Sequence, residues 1–215
     1  MNELSIPTTT IAATVLSSST GLRAYFPLFA LGIAASLGLV PLEKNFEVLT
    51  NPILLVVLGG LSVLEVVADK FPAVDHVSDI IHTVIRPIMG AVIFAGTDNI
   101  VSMHSSVVAG GLGLLLAGGV HSAKALTRPA VTASTVGVGN PVVSIIEDVL
   151  VVLLVVLALV VPIIALVLLV LVGLLFFLMV RGIFRRLRRR KQRQQTPVAT
   201  IAGGGPSVDN SRRTG

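Results

Sequence analysis

The stretch PVVSIIEDVLVVLLVVLALVVPIIALVLLVLVGLLFFLMV, residues 141–180, carries Glu147 and Asp148 and no other charged side chain. As one helix it would extend about 60 Å at 1.5 Å per residue, twice the roughly 30 Å hydrocarbon core of a bilayer. Pro162 stands near its middle and cannot continue a helix cleanly. The run therefore reads as two membrane-spanning helices joined by a tight hairpin, over 141–161 and 162–180.

Composition extends this reading to the whole chain. Of 215 residues, 53% are hydrophobic and 13% charged, and the mean hydropathy is +0.94. Soluble domains carry roughly 25% charged residues. Too few polar side chains remain to coat a soluble globule, so lipid is expected to be the main solvent. The chain has no cysteine, which excludes disulfides, Cys-ligated zinc and iron–sulfur centres. The N-terminus MNELSIPTTT lacks a basic n-region, so the first apolar segment is expected to be retained rather than cleaved as a signal peptide.

Further apolar segments lie near 10–39, 52–68, 74–95 and 106–125. The first is interrupted by SSSTGLRAYFP. The expected architecture is all-α: a polytopic transmembrane helical bundle of about six spans with a broken first span. The membrane domain would occupy 1–190, and 191–215, polar and containing GGGPS, would be a disordered cytoplasmic tail. Arg181, Arg185, Arg186, Arg188, Arg189, Arg190, Lys191 and Arg193 supply most of the formal charge of +5. Just after an apolar run, such a cluster reads as a cytoplasmic flank touching anionic lipid headgroups, not as a nucleic-acid surface. Both termini are then cytoplasmic in a multi-pass protein of the cell membrane. Lys70, Arg86, Lys124 and Arg128 fall on the inner side, and Lys44 on the outer.

The chemistry-bearing residues share helix faces. Asp75, Asp79, His82 and Arg86 are spaced i, i+4, i+7 and i+11, one face of a helix. Glu65 and Asp69 are i and i+4. His121, Lys124 and Arg128 are i, i+3 and i+7, and Ser144 shares a face with Glu147 and Asp148. Arg23 sits beside the break in the first span. Asn140 precedes Pro141, where it can cap a helix or help its N-terminus hold an anion. A charge within a span costs at least roughly 2.5–3.5 kcal/mol on insertion scales, so these groups are expected to pair, line water or bind something.

Three function classes follow. One is a small transporter, channel or permease with an inward-facing polar site, where Arg23, Arg86, Lys124 and Arg128 hold a small anionic solute and the acids orient them or relay protons. Another is a non-transporting scaffold whose ion pairs fix helix packing. A metal-dependent enzyme acting on lipid phosphates through Asp75 and Asp79 is a third. No nucleophile triad, P-loop or dinucleotide fingerprint is present, so neither a cofactor nor an enzymatic activity is assigned. The expected partners are the bilayer, anionic lipid, a solute and further copies of the chain. GGLGLLLAGG (110–119) reads as close helix packing. GGLSVLEVVADK (59–70) aligns with GGLGLLLAGGVH (110–121), a faint internal repeat.

The strings TGLRAYFPLFALGIAASLGLVPL (20–42), LEVVADKFPAVDHVSDIIHTVIRPIMGA (64–91) and GGVHSAKALTRPAVTASTVGVGNPVVSIIEDVL (118–150), with the Arg-rich end, resemble a family of small bacterial membrane proteins, domain of unknown function 4126. The likeness spans about Thr14 to Arg190. It implies an integral membrane protein of the bacterial inner membrane and carries no activity, substrate or site residue.

Overall fold

A computed structural model describes residues 5–69, 72–97, 105–135 and 139–194. All regular structure among these residues is helical. Helix α1 (Ser5–Thr20) and α2 (Phe26–Ser36) are the two halves of the broken first segment. A 3-10 turn (Lys44–Thr50) leads into α3 (Pro52–Ala68). Then follow α4 (Pro72–Thr97), α5 (Ser106–Thr135), α6 (Gly139–Val160) and α7 (Pro162–Gln194).

Local sequence explains several ends. Asn51 Oδ1 accepts from Ile53 N at 2.9 Å and Leu54 N at 3.4 Å, and Pro52 follows at the first helical position. An Asn N-cap with proline at N1 is a strong helix start. At Val161 a single non-helical residue separates α6 from α7. Val161 N still donates to Leu157 O, and Ala165 N to Val161 O. Pro162 thus sits at N1 of α7, where its missing N–H costs nothing.

Two helices outrun their apolar segments. Helix α5 continues past Ala125 through KALTRP to Thr135, with Pro129 inside it. The stretch expected to be a loop is helical because Lys124 and Arg128 meet acids on neighbouring helices rather than water. Helix α7 runs past Val180 to Gln194. Residues 195–215, most of the expected tail, lie outside the described residues. The two copies of the faint repeat lie on helices, the first at the C-terminal end of α3 and the second within α5.

Among the described residues, three helices are long and apolar enough to cross a membrane, with spans Ile80–Thr97, Ser106–Pro129 and Gly139–Val160. A fourth qualifies if the 3-10 turn and α3, bent by 66°, form one span. Phe26–Ser36 and Pro162–Leu178 are shorter apolar helices. The chain is therefore an all-helical membrane protein, with three to four candidate spans among the described residues.

Packing centres on α4, which lies along both α5 and α1; α1 also meets α5 and α6, and α2 lies on α3. Glycines allow the closest approach. A Cβ on Gly113 of α5 would run into the Gly90 carbonyl oxygen and stand 2.7 Å from Phe94 Cβ. Gly111 and Gly119 face open space. The 110–119 glycine run is thus a packing notch on one side only.

The distribution of polarity is inverted relative to a soluble fold. Ile53 is 77% exposed, Val107 84% and Leu175 67%, while Arg23 and Arg86 are the two largest fully buried side chains. Exposed leucine, isoleucine and valine on nearly every helix suit lipid, and the buried charges call for a specific account.

Candidate functional site

The break between α1 and α2 starts the site. Ser17, Ser18, Ser19 and Thr20 end α1 and are all buried. Ser18 and Ser19 hydroxyls donate back to the carbonyls of Thr14 and Val15, at 2.7 and 2.8 Å. Ser17 Oγ instead crosses to Gly90 O at 2.9 Å, and Thr20 Oγ1 donates to Ser17 O at 2.6 Å and Arg86 O at 3.3 Å. The helix then stops, and Arg23, Ala24 and Tyr25 pass through irregular backbone before α2. Such backbone is tolerated at membrane depth only when buried in protein or lining a cavity.

Arg23 is held from three sides. Its Nη1 reaches Asp69 Oδ2 at 2.5 Å, and its Nη2 reaches Asp148 Oδ1 at 2.5 Å and Ser144 Oγ at 3.0 Å. Asp69, at the C-terminal end of α3, has a fully buried side chain. Its Oδ2 also faces Lys124 Nζ at 3.9 Å and Arg128 Nη2 at 3.7 Å. Lys124 turns mainly to Glu147 Oε2, 2.7 Å away, and donates to the Leu22 carbonyl at 3.4 Å.

Glu65 forms the other half. Both carboxylate oxygens lie 3.0 Å from Ala24 N, and Oε2 lies 3.4 Å from Tyr25 N. These amides open α2, so the carboxylate sits where a helix N-terminus attracts an anion. Arg86 Nη2 meets Oε1 at 3.2 Å, and His82 Nε2 lies 3.7 Å from the same oxygen. Arg86 Nη1 pairs with His121 Nδ1 at 3.0 Å, and His121 Nε2 with Thr83 Oγ1 at 3.2 Å. The Tyr25 ring stands edge-on to His82 with centroids 5.8 Å apart.

The structure thus joins Arg23, Glu65, Asp69, His82, Arg86, His121, Lys124, Arg128, Ser144, Glu147 and Asp148 in one cluster at the meeting of α3, α4, α5 and α6 with the α1–α2 break. Asn140 stands apart. It lies within the first turn of α6 and exchanges hydrogen bonds with Thr132 at 3.0 and 3.1 Å. The side chains of Asp75 and Asp79 lie outside the described residues, as does Lys70. Among the described residues no three His, Asp or Glu side chains converge to hold a metal ion.

Charge is balanced among the described members: Glu65, Asp69, Glu147 and Asp148 against Arg23, Arg86, Lys124 and Arg128. Every cation faces an acid, so an anion does not find a surplus of positive charge waiting. Yet the cluster is not saturated. Arg23 Nε, Arg86 Nε and Asp69 Oδ1 are buried and find no hydrogen-bond partner among the described residues. An unmet buried polar atom costs about 1–3 kcal/mol, more when charged.

The Lys124–Glu147 contact gives a direct test of coupling. Replacing either by methionine is expected to cost about 2 kcal/mol, below the roughly 3–5 kcal/mol usual for a stranded buried charge, because Lys124 keeps Asp69 at 3.9 Å and Glu147 is partly exposed. The double replacement should cost about as much as one single, leaving a coupling of about 1–2 kcal/mol. Reversible unfolding in mixed micelles reads all four proteins, and additive costs would show that the two charges do not interact.

Sequence inspection missed the partners supplied by hydroxyls and backbone: Ser17, Thr20, Thr83, and the Ala24 and Tyr25 amides. The SSST run at 17–20 inside an apolar helix was the available signal, since four adjacent hydroxyls there need acceptors. A family model described as Domain of unknown function (DUF4126) matches residues 10–182, which hold the whole cluster. No curated protein and no solved structure matches the chain.

Proposed function

The chain belongs to the domain of unknown function 4126 family, and from this membrane framework we propose that it is a small transporter whose charge cluster is the solute site. The observation that carries the proposal is an unsaturated, balanced cluster of eight charges beside a helix break, five of them buried and Glu147, Asp148 and Arg128 partly exposed. Buried ion pairs are poor stabilisers, since apolar replacements of equal volume are often as stable or more so. Packing alone therefore gives little reason for fully buried Arg23 and Arg86. Transport does: a site built from opposed pairs can exchange an internal partner for a solute group. Broken helices at such sites are a recurring device of secondary transporters.

One observation favours the scaffold reading. The described charges cancel, as a purely structural network would require. The two readings part on flux. Purified protein in liposomes holding a pH-sensitive dye is challenged with gradients of small organic anions and cations. Wild-type protein is expected to carry at least one of them. Arg86→Lys keeps the charge and loses the planar fork, and Glu147→Gln keeps the shape and loses the charge. Each should lower flux at least about tenfold. Wild-type flux in both variants, inserted at equal density, would end the proposal.

A further inference from the structure

The Glu65 carboxylate occupies a site that looks made for a carboxylate that is not covalently attached. Four contacts hold it: Ala24 N to each oxygen at 3.0 Å, Tyr25 N to Oε2 at 3.4 Å, and Arg86 Nη2 to Oε1 at 3.2 Å. The two amides stand immediately before an 11-residue helix, Tyr25 at its N-cap, and the helix dipole adds to the attraction for negative charge. Glu65 itself is 3% exposed.

Arg86 supplies the second, independent observation. It is fully buried, and its Nε has no hydrogen-bond partner among the described residues. Nε and Nη2 form one edge of the guanidinium, the edge that takes a carboxylate through two parallel bonds. Glu65 uses only Nη2 of that edge. Its reach is set by the α3 backbone, so it satisfies the amides and half of the fork. A free carboxylate has no such tether and can face both nitrogens.

We infer that Glu65 is a tethered occupant of a carboxylate-binding cradle formed by Ala24 N, Tyr25 N and Arg86, and that a small carboxylate solute displaces it. The inference rests on the solute-site reading and narrows it to a substrate class. An entering carboxylate adds one negative charge to the balanced cluster, so displacement keeps the balance only with uptake of a proton; His82, whose Nε2 stands 3.7 Å from Oε1, is the group placed to carry it and to receive the displaced Glu65. Phosphate and chloride fit less well, because the contacts match two coplanar oxygens.

In the wild type the tether presents the internal carboxylate at an effective concentration of millimolar or more, so free carboxylates compete poorly. Removing the tether uncovers the cradle. Glu65→Ala protein in detergent is titrated with formate, acetate, phosphate and chloride at equal ionic strength while its melting temperature is followed. Formate and acetate are expected to raise it saturably, by roughly 3–6 °C at ten times half-saturation. Half-saturation should come at least about tenfold lower than in wild type. Adding Arg86→Gln to Glu65→Ala should abolish the response. Should Glu65→Ala not fold, Glu65→Gln takes its place: its amide still occupies the cradle but competes without a charge, so half-saturation by formate and acetate is expected above that of an empty cradle and still at least about threefold below that of the wild type. A variant no more responsive to carboxylates than the wild type, or equally responsive to phosphate or chloride, overturns the inference. The flux assay separates the two ideas. Carboxylate rescue without any flux leaves the cradle standing and removes transport; flux without rescue leaves transport standing and removes the tethered role of Glu65.

Discussion

Replacing Arg23 with alanine is expected to lower folding stability by about 3 kcal/mol, measured by reversible unfolding in mixed micelles. The guanidinium touches Asp69 and Asp148 at 2.5 Å each and Ser144 at 3.0 Å. Its removal strips two carboxylates of their nearest cation and opens a cavity at the α1–α2 break. Uncompensated buried charge usually costs about 3–5 kcal/mol. The lower end applies here, because Lys124 and Arg128 remain 3.9 and 3.7 Å from Asp69 Oδ2. A specific control follows. Arg23→Met combined with Asp148→Asn removes one charge of each sign and keeps most of the volume, so it should recover at least about half of the loss. If Arg23→Ala unfolded with wild-type stability, the cluster would not be the packed, desolvated network that its geometry describes. If the neutral double variant were as unstable as Arg23→Ala, the cost would lie in lost volume rather than in stranded charge.

The fate of Arg23 also shows what could and could not be read from the sequence. That it lies at a break was legible, because Gly21 and Pro27 flank it and hydroxyl residues precede it. Helix α3 was legible to the residue, Pro52–Ala68, because an Asn-Pro start and an acidic end bracket an apolar run. A division at Pro162 was legible because proline cannot donate an N–H, but the tight hairpin expected there is not what the described residues show: a single non-helical residue, Val161, separates the two helices, with helical hydrogen bonds on either side of it. Helical spacing also placed His82 with Arg86 and His121 with Lys124 on single faces, and these side chains are buried together.

What spacing does not encode is which helix each face meets. Glu65 caps α2 from 41 positions downstream of Ala24, a relation set by packing rather than periodicity. The hydroxyl contacts of Ser17 and Thr20 with α4 span 73 and 66 positions. Apolarity likewise misjudged the end of α5. The apolar segment read from sequence ended at Ala125, whereas the helix runs on because Lys124 meets Glu147 and Arg128 meets Asp69 across the bundle. Asn140 had a sound capping rationale, and the helix begins one residue earlier, so its amide pairs with Thr132 instead.

Gly113→Val is expected to cost about 3 kcal/mol, while Gly111→Val two residues earlier should change stability by less than about 0.5 kcal/mol. The two glycines share a sequence context and differ in what they face. At Gly113 a single Cβ would already collide with the Gly90 carbonyl oxygen and crowd Phe94 Cβ, at 2.7 Å. Neither obstacle is the free end of a flexible chain. One is helix backbone and the other a side-chain root, so relief requires α4 and α5 to move apart. That separation propagates to the site. Arg86 lies one turn before Gly90 on α4, and His121 and Lys124 lie two to three turns after Gly113 on α5, so parting the helices stretches the 3.0 Å Arg86–His121 contact. At Gly111 nothing lies within 4 Å of the added carbon, and valine there meets only the surrounding lipid or detergent. Unfolding of the two variants side by side checks the prediction, and flux through both in liposomes extends it. Equal stability of Gly113→Val and Gly111→Val would mean that α4 and α5 do not meet at this notch. The contact that carries Arg86 to His121 would then need another support.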